Sequence, residues 1–130
     1  MTLFVDTSGI LALVDRDDPA HAGVVEAFAL GRDQELLTHA YVVVETLAVA
    51  HRRFGAAVAA DIVDRVVPAM KVTPVDVELH ATAMATFRDM IESSVSLVDR
   101  TSFALMRREE IDQAIALDAD FRTAGFETLP

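Results

Sequence analysis

The segment Leu3-Phe4-Val5-Asp6-Thr7-Ser8-Gly9 decides the fold of this chain. Its three consecutive apolar residues predict a short strand that is buried on both faces, because a strand with one solvated face alternates apolar and polar residues. Asp6 follows the strand directly, and Asp6 to Gly9 open a helix that runs through Leu13 and Val14. A strand that leads straight into a helix is the repeating unit of a parallel sheet.

The same alternation continues along the chain. Further strands are predicted at Leu36–Thr38, Met70–Val72 and Ala114–Leu117, and an edge strand at Glu127–Leu129. Helices are predicted between and after them, several with glycine or proline at an end, at residues 20–30, 40–54, 56–67, 76–90, 96–108 and 119–124. The pattern predicts an α/β fold with three layers, α/β/α, around a central parallel sheet of four to five short strands.

Length and composition narrow the class of protein. The chain has 130 residues without a change of composition, which predicts a single domain spanning residues 1–130. With 52% hydrophobic residues the chain can build a core, and without cysteine it can form neither disulfides nor thiolate metal sites. No apolar run is long enough to span a bilayer and no targeting segment precedes the first strand, so we expect a soluble cytoplasmic protein.

The charge balance bears on possible partners. The formal net charge of −10 is opposite to that of an ordinary nucleic-acid-binding protein. If the protein acts on a polyanion, divalent cations must neutralise part of this charge, or the few arginines must be concentrated beside the site.

Two acidic residues stand out in the first half of the chain. Ligands of parallel α/β folds bind at the carboxyl ends of the strands, and Asp6 lies at such an end, although it could equally be a helix N-cap. Glu45 projects from the apolar stripe of its predicted helix, where an unpaired carboxylate is costly unless it is hydrogen-bonded, paired with a structural partner such as an arginine, or bound to a metal. Its neighbours one turn away are Tyr41, Val42, Ala48 and Val49.

Three further acids follow in the second half. Asp99 lies in the first turn of a helix at the same edge of the predicted sheet as Asp6, although Ser96 and Asp99 also have the spacing of a capping box. Asp118 directly follows the predicted strand Ala114–Leu117. Asp120 is the alternative to Asp118, and one of the pair is expected to cap the next helix.

Acids from four strand–helix junctions are therefore expected at one edge of the sheet. Their mutual repulsion would raise some pKa values unless a cation lay between them. Oxygen ligands without cysteine or paired histidine favour Mg²⁺ or Mn²⁺ over zinc. Such an arrangement is typical of phosphodiester hydrolysis.

The residues around these acids resemble a known family, the PIN domain, and specifically the VapC-type ribonuclease toxins of toxin–antitoxin pairs. The resemblance covers essentially the whole chain and rests on Val5-Asp6-Thr7-Ser8, Val44-Glu45, Ser96-Leu97-Val98-Asp99-Arg100-Thr101-Ser102-Phe103-Ala104 and Leu117-Asp118-Ala119-Asp120-Phe121. It implies a metal-dependent endoribonuclease in which Asp6, Glu45, Asp99 and Asp118 coordinate Mg²⁺ or Mn²⁺. It also implies an RNA substrate such as transfer or ribosomal RNA, a cognate antitoxin protein and a homodimer.

Several neighbouring residues receive secondary predictions. Four hydroxyl side chains could orient the acids through hydrogen bonds: Thr7, Ser8, Thr101 and Ser102. Helix capping is the alternative role for them. Arg100 and Arg122 are candidates for holding the RNA backbone, with a solvated surface as the alternative. The four histidines fall in different elements, without the spacing of a zinc helix or a Ser-His-Asp triad, and no catalytic role is predicted for them.

Three other functions are compared with the nuclease. An aspartyl-nucleophile phosphatase would place a second Asp two residues after Asp6, where Ser8 stands. A receiver-like phospho-acceptor domain would need neighbouring acids and a lysine close to the phosphorylated Asp, and the only lysine, Lys71, has no such pattern around it. A catalytically inactive PIN-like binding module is the third.

Overall fold

Five parallel strands form the sheet in the computed structural model, which describes all 130 residues. Their order is β3-β2-β1-β4-β5. The strands are β1 (Thr2–Val5), β2 (Glu35–His39), β3 (Lys71–Thr73), β4 (Gln113–Ile115) and β5 (Glu127–Leu129). The predicted parallel sheet is therefore confirmed, and the expected edge strand is its fifth member.

Seven α-helices connect the strands, and they pack in two groups. They are α1 (Thr7–Val14), α2 (His21–Leu30), α3 (Ala40–Phe54), α4 (Ala56–Asp61), α5 (Val77–Asp89), α6 (Leu97–Arg108) and α7 (Ala119–Thr123). The first four helices contact one another, and the last three do the same. The chain reverses its direction across the sheet after β3, and right-handed crossovers then place the two groups on opposite faces. This is the predicted three-layer α/β/α architecture.

The core is centred on β1, the middle strand. Leu3, Phe4 and Val5 are each 0% exposed, as expected for a strand covered on both faces. Phe121 lies against Phe4 with ring centroids 6.2 Å apart and meets Phe103 edge-on at 4.9 Å. These aromatic side chains are core residues and do not form a surface for stacking bases.

Two predicted elements end earlier in the structure than in the sequence analysis. The helix predicted over residues 56–67 is α-helical only to Asp61 and continues as a π-helical turn, Ile62–Val66, and a 3₁₀ turn, Val67–Ala69. Pro68 has no amide hydrogen and restricts the residue before it, which accounts for the end of the helical segment but not for the change to π-helical bonding after Asp61.

The strand predicted over Ala114–Leu117 ends at Ile115. The amide of Leu117 donates to the Ser8 hydroxyl at 3.0 Å instead of to a neighbouring strand, so a side chain of α1 ends the strand pairing. Asp118 therefore follows β4 after a two-residue connection.

Gly9 allows α1 to lie unusually close to β4. A Cβ atom at this position would be 2.7 Å from the carbonyl oxygen of Ile115, closer than real Cβ atoms approach backbone. The same carbonyl accepts a hydrogen bond from the amide of Asp6 at 3.1 Å. This contact brings the first turn of α1 beside the end of β4.

The helices were also compared with the length and hydropathy that a membrane span requires, and none of them meets both.

Candidate active site

A pocket of about 300 Å³ lies at the carboxyl edge of the sheet, and half of the residues that line it are acidic. The five acids are Asp6, Glu45, Asp99, Asp118 and Asp120, and the other lining residues are Thr7, Ser8, Leu11, Ser94 and Ser96. All four acids of the predicted set therefore line one pocket, together with the alternative acid, Asp120. Ser94 and Leu11 were not predicted, because neither stands in a pattern that suggests chemistry.

Asp6 is both the N-cap of α1 and a wall of the pocket. Its carboxylate accepts hydrogen bonds from the amide of Ser8 at 3.2 Å and from the Ser8 hydroxyl at 2.6 Å. Burial raises the pKa of Asp6, the bonds from Ser8 oppose this rise, and the charge of Glu45 adds to it. The two alternatives considered for Asp6 are thus combined in one side chain.

Two hydroxyl residues fasten the elements around Asp6. Ser8 Oγ donates to Asp6 and accepts from the amide of Leu117, which ties α1 to the connection before Asp118. Thr7 Oγ1 accepts a hydrogen bond from Thr46 Oγ1 at 3.1 Å, which ties α1 to α3 beside Glu45. Thr46 could not be predicted from the sequence, because its partner lies 39 positions away in the chain.

Asp99 is the second buried acid of the pocket, with 9% of its surface exposed against 4% for Asp6. Ser96 Oγ caps α6 by accepting from the amide of Asp99 at 3.0 Å, but the reciprocal bond of a capping box is not formed, and the Asp99 carboxylate has no hydrogen-bond partner. Burial, followed by the charges of Asp6, Asp118, Glu45 and Asp120, raises the pKa of Asp99 to about 7.

Asp118 and Asp120 open the short helix α7. Asp118 is the N-cap and accepts from the amide of Asp120 at 2.9 Å. Burial and the neighbouring Asp118 raise the pKa of Asp120, whereas Arg100 lowers it. One carboxylate oxygen each from Asp99, Asp118 and Asp120 lies within 4.8 Å of the others.

This close group of three differs from the predicted set of four. It includes Asp120, the predicted alternative, and it lacks Asp6, whose carboxylate is turned back onto Ser8. Glu45 also lies outside it and lines the pocket from α3, half-buried and without a hydrogen-bond partner. Its charge raises the pKa values of Asp6 and Asp99, as expected for a nearby carboxylate.

The two arginines considered for RNA binding differ in position. Arg100 is close enough to Asp120 to lower its pKa, and the Nε of Arg100 is buried without a partner. Arg122 does not line the pocket, because its guanidinium donates to Thr128 Oγ1 on β5 at 3.0 Å. Thr101 does not reach the pocket either, since it is fully buried and its hydroxyl donates to the carbonyl of Leu97.

The donor set suits a hard divalent cation. Every ligand atom that the pocket offers is oxygen, from carboxylates and hydroxyls, and such atoms favour Mg²⁺ or Mn²⁺. Asp99 is largely buried, its carboxylate accepts no hydrogen bond, and the neighbouring acids repel its charge, which is costly unless a cation compensates. The residues present therefore fit such an ion, with Asp99, Asp118 and Asp120 as the group that could hold it.

The family model and a curated relative both match this chain over nearly its whole length. The family model described as PIN domain matches residues 3–127. A protein of Mycobacterium tuberculosis named 23S rRNA-specific endonuclease VapC20 is 36% identical over 126 residues, which covers 95% of both chains.

Solved structures resemble this chain over nearly its whole length. The crystal structure of Mycobacterium tuberculosis VapC20, described as a sarcin-ricin loop cleaving toxin, superposes with a TM-score of 0.86 at 33% identity and covers 98% of this chain and 99% of that one. VapBC2 from Rickettsia felis, bound to promoter DNA, gives a TM-score of 0.75 at 7% identity over 100% of both chains. At that identity the second likeness concerns the fold alone.

The raised pKa of Asp99 predicts how the cation-free protein responds to pH. The folded value is about 7 and the ordinary value is 3.8, so the folded state binds more protons between these limits and stability falls as pH rises through them. We expect Asp99→Asn to stabilise the protein at pH 8 in EDTA by about 1 kcal/mol after allowance for solvent screening, or about 4 °C in Tm.

Thermal unfolding of both proteins at pH 8 and pH 5 checks this expectation. The difference between them should shrink at pH 5, where Asp99 is protonated in the folded protein. The exposed acid Asp89, changed to Asn, is the control and should leave Tm unchanged at both pH values. A lower Tm for Asp99→Asn than for the unchanged protein at pH 8 would contradict the prediction.

Proposed function

The chain belongs to the PIN domain family, and from this premise we propose that it is a metal-dependent endoribonuclease that hydrolyses RNA phosphodiester bonds as the toxin of a type II toxin–antitoxin system. The observation that carries the proposal is the convergence of five carboxylates in one pocket at the carboxyl edge of the sheet. Neither rival with a phosphorylated aspartate needs so many acids around one space.

In this proposal Asp99, Asp118 and Asp120 hold Mg²⁺ or Mn²⁺, with Asp6 and Glu45 on the surrounding walls. A bound divalent cation polarises a phosphoryl oxygen, lowers the pKa of a coordinated water and stabilises the leaving oxygen of an in-line displacement. The family assignment and the oxygen-only donor set both support a cation of this class.

The protein's own side chains supply the remaining functions. Glu45 has no hydrogen-bond partner, so its carboxylate is free to accept a proton from the attacking water. Arg100 lies beside the acids and carries the positive charge that holds a backbone phosphate near them. Ser8 and Thr7 keep Asp6 and Glu45 in place through their hydrogen bonds.

Ribosomal RNA is the substrate that we propose. The relative with 36% identity is named for cleavage of 23S rRNA, and the resemblance extends over 95% of both chains. Transfer RNA is the other structured RNA that the family resemblance implies, and it is a second substrate in the assay below.

The cleavage assay uses purified ribosomal and transfer RNA with Mg²⁺ or Mn²⁺ and with EDTA. We expect cleavage only with a divalent cation. Asp6→Asn and Asp99→Asn should each reduce the rate by about 100-fold, which corresponds to about 2.7 kcal/mol in the barrier. The reason is that each substitution removes a negative charge from the pocket without changing its shape.

Asp89→Asn is the control and should cleave like the unchanged protein. Retained near-ultraviolet and far-ultraviolet circular dichroism shows that the variants are folded. Cleavage that persists in EDTA, or full activity of Asp99→Asn, would refute the proposed mechanism.

The same assay decides between Asp118 and Asp120. The charge of Asp118 contributes more to the raised pKa of Asp99 than that of Asp120 does, so Asp118 acts more strongly at the centre of the group. Asparagine at position 118 can still cap α7, because its side-chain oxygen accepts the amide of Asp120. We therefore expect Asp118→Asn to reduce cleavage about tenfold more than Asp120→Asn, with both variants folded. Equal or larger loss in Asp120→Asn would assign the principal role to Asp120.

A toxin of this type acts in the cytoplasm, where its RNA substrate is, and is held inactive by a cognate antitoxin protein. We include both in the proposal, together with a homodimer. Their support is the family assignment, the relative named as a VapC endonuclease and the likeness to the fold of VapBC proteins.

Expression in bacteria tests the toxin role. We expect induction of the unchanged protein to stop growth, because cleavage of ribosomal RNA stops translation. Induction of Asp99→Asn to the same protein level should not stop growth. Co-expression of the cognate antitoxin protein should restore growth, and the antitoxin should purify with the toxin. Unimpeded growth with active, folded protein would refute this role.

A further inference from the structure

His39 lies at the end of β2, is 0% exposed and makes every hydrogen bond that its ring allows. Its Nδ1 accepts from the amides of Tyr41 at 3.2 Å and Val42 at 3.3 Å, which caps α3. Its Nε2 lies 2.9 Å from Ser102 Oγ on α6. The Ser102 hydroxyl donates in turn to the carbonyl of Val98 at 3.0 Å.

These bonds define the state of the ring. Nδ1 accepts two hydrogen bonds and therefore carries no proton, so the proton is on Nε2 and is donated to Ser102. Burial lowers the pKa of His39 to about 4, and the ring stays neutral near pH 7. The rings of Phe4 and Tyr41 pack against it, with centroids 5.8 and 5.9 Å away, and the Tyr41 ring is perpendicular to the imidazole.

The two helices joined by this ring both carry acids of the pocket. Glu45 lies in α3, one turn after the amides that His39 caps. Asp99 lies in α6 and directly follows Val98, whose carbonyl accepts the Ser102 hydroxyl. A chain of hydrogen bonds thus runs from the start of α3 to the residue next to Asp99.

Capping alone does not require histidine. Asparagine, aspartate, serine and threonine are the usual N-cap residues, and each of them supplies an acceptor for the first amides of a helix. What the imidazole adds is a second polar atom on its far side, at a distance that reaches Ser102. The hydrogen bonds that join α3 to α6 therefore explain why position 39 is a histidine.

We propose that His39 is a positioning residue, which fixes α6 against α3 and thereby sets the placement of Asp99, a member of the close group of three acids, for binding the divalent cation. This inference rests on the proposed function, because it concerns the same cation. His39 does not touch the pocket and takes no part in the chemistry itself.

Two substitutions separate the cap from the link. Asparagine places its side-chain oxygen where Nδ1 lies, so His39→Asn keeps the cap and loses the bond to Ser102. Glutamine places its amide nitrogen near the position of Nε2, so His39→Gln keeps the bond to Ser102 and loses the cap. Hydrogen exchange of the Tyr41 and Val42 amides reports whether the cap is present in each variant.

The main measurement is the dissociation constant for Mn²⁺, obtained by isothermal titration calorimetry on folded protein without RNA. We expect His39→Asn to weaken Mn²⁺ binding about tenfold, at the lower end of the range for residues that orient metal ligands. His39→Gln should bind Mn²⁺ more tightly than His39→Asn, although its Tyr41 and Val42 amides exchange faster. A purely structural role predicts the opposite order, with affinity following the cap.

Ser102→Ala provides a second route if either histidine variant fails to fold. It should weaken Mn²⁺ binding as much as His39→Asn, and the double variant should be no weaker than either one, because both changes remove the same bond. His80→Ala is the matched control, since His80 is exposed, bonds the opposite side of Tyr41 and should retain full affinity.

The outcomes separate the inference from the proposed function. Mn²⁺ binding by the unchanged protein with equal affinity in His39→Asn or in Ser102→Ala refutes the role of His39 and leaves the nuclease proposal intact. Absence of Mn²⁺ binding by the unchanged protein refutes the cation site of the proposed function, and the inference with it.

Discussion

Mutual repulsion among five carboxylates at one edge of the sheet is the constraint that explains most of the surrounding structure. Four of the acids stand at the start of a helix: Asp6 caps α1, Asp118 caps α7, and Asp99 and Asp120 lie in the first turns of α6 and α7. Helix N-termini favour negative charge, because their first amides have no partner within the helix. Parallel strands direct these N-termini to the same edge. The fold thus collects the charges and also supplies part of what stabilises them.

Capping and ligand binding are compatible roles for an aspartate. A carboxylate has two oxygens, and one amide bond leaves acceptor capacity on both. Asp118 uses this capacity by accepting the amide of Asp120 while it remains in the close group with Asp99. Asp99 has even more free acceptor capacity, because Ser96 caps α6 and the Asp99 carboxylate accepts no hydrogen bond. The compensation offered by helix ends is incomplete, as the raised pKa of Asp99 shows.

The sequence predicted the sheet and the pocket acids because both depend on short-range patterns: apolar runs that end in an acid, followed by a helix. It was less informative about which side chains face the pocket. Thr101 stands two positions after Asp99, and residues two apart on a helix point in different directions, so spacing alone could have excluded it. Arg122 lies four positions after Asp118, and only its bond to Thr128 shows that it faces elsewhere. Thr46 and His39 could not have been found in this way, since their partners Thr7 and Ser102 are 39 and 63 positions away.

The acidity of the chain also changes how the proposed RNA substrate would be held. Arg65 and Arg108 are in ion pairs, Arg107 and Arg122 donate to groups of the C-terminal segment, and Arg100 is the arginine beside the pocket acids. Binding that depends on many lysine and arginine contacts weakens steeply with monovalent salt, because each contact releases counterions. Few such contacts are available around this pocket. In the proposed mechanism the divalent cation would therefore attract the phosphate as well as activate it, and the target would be selected by the shape of the RNA more than by charge.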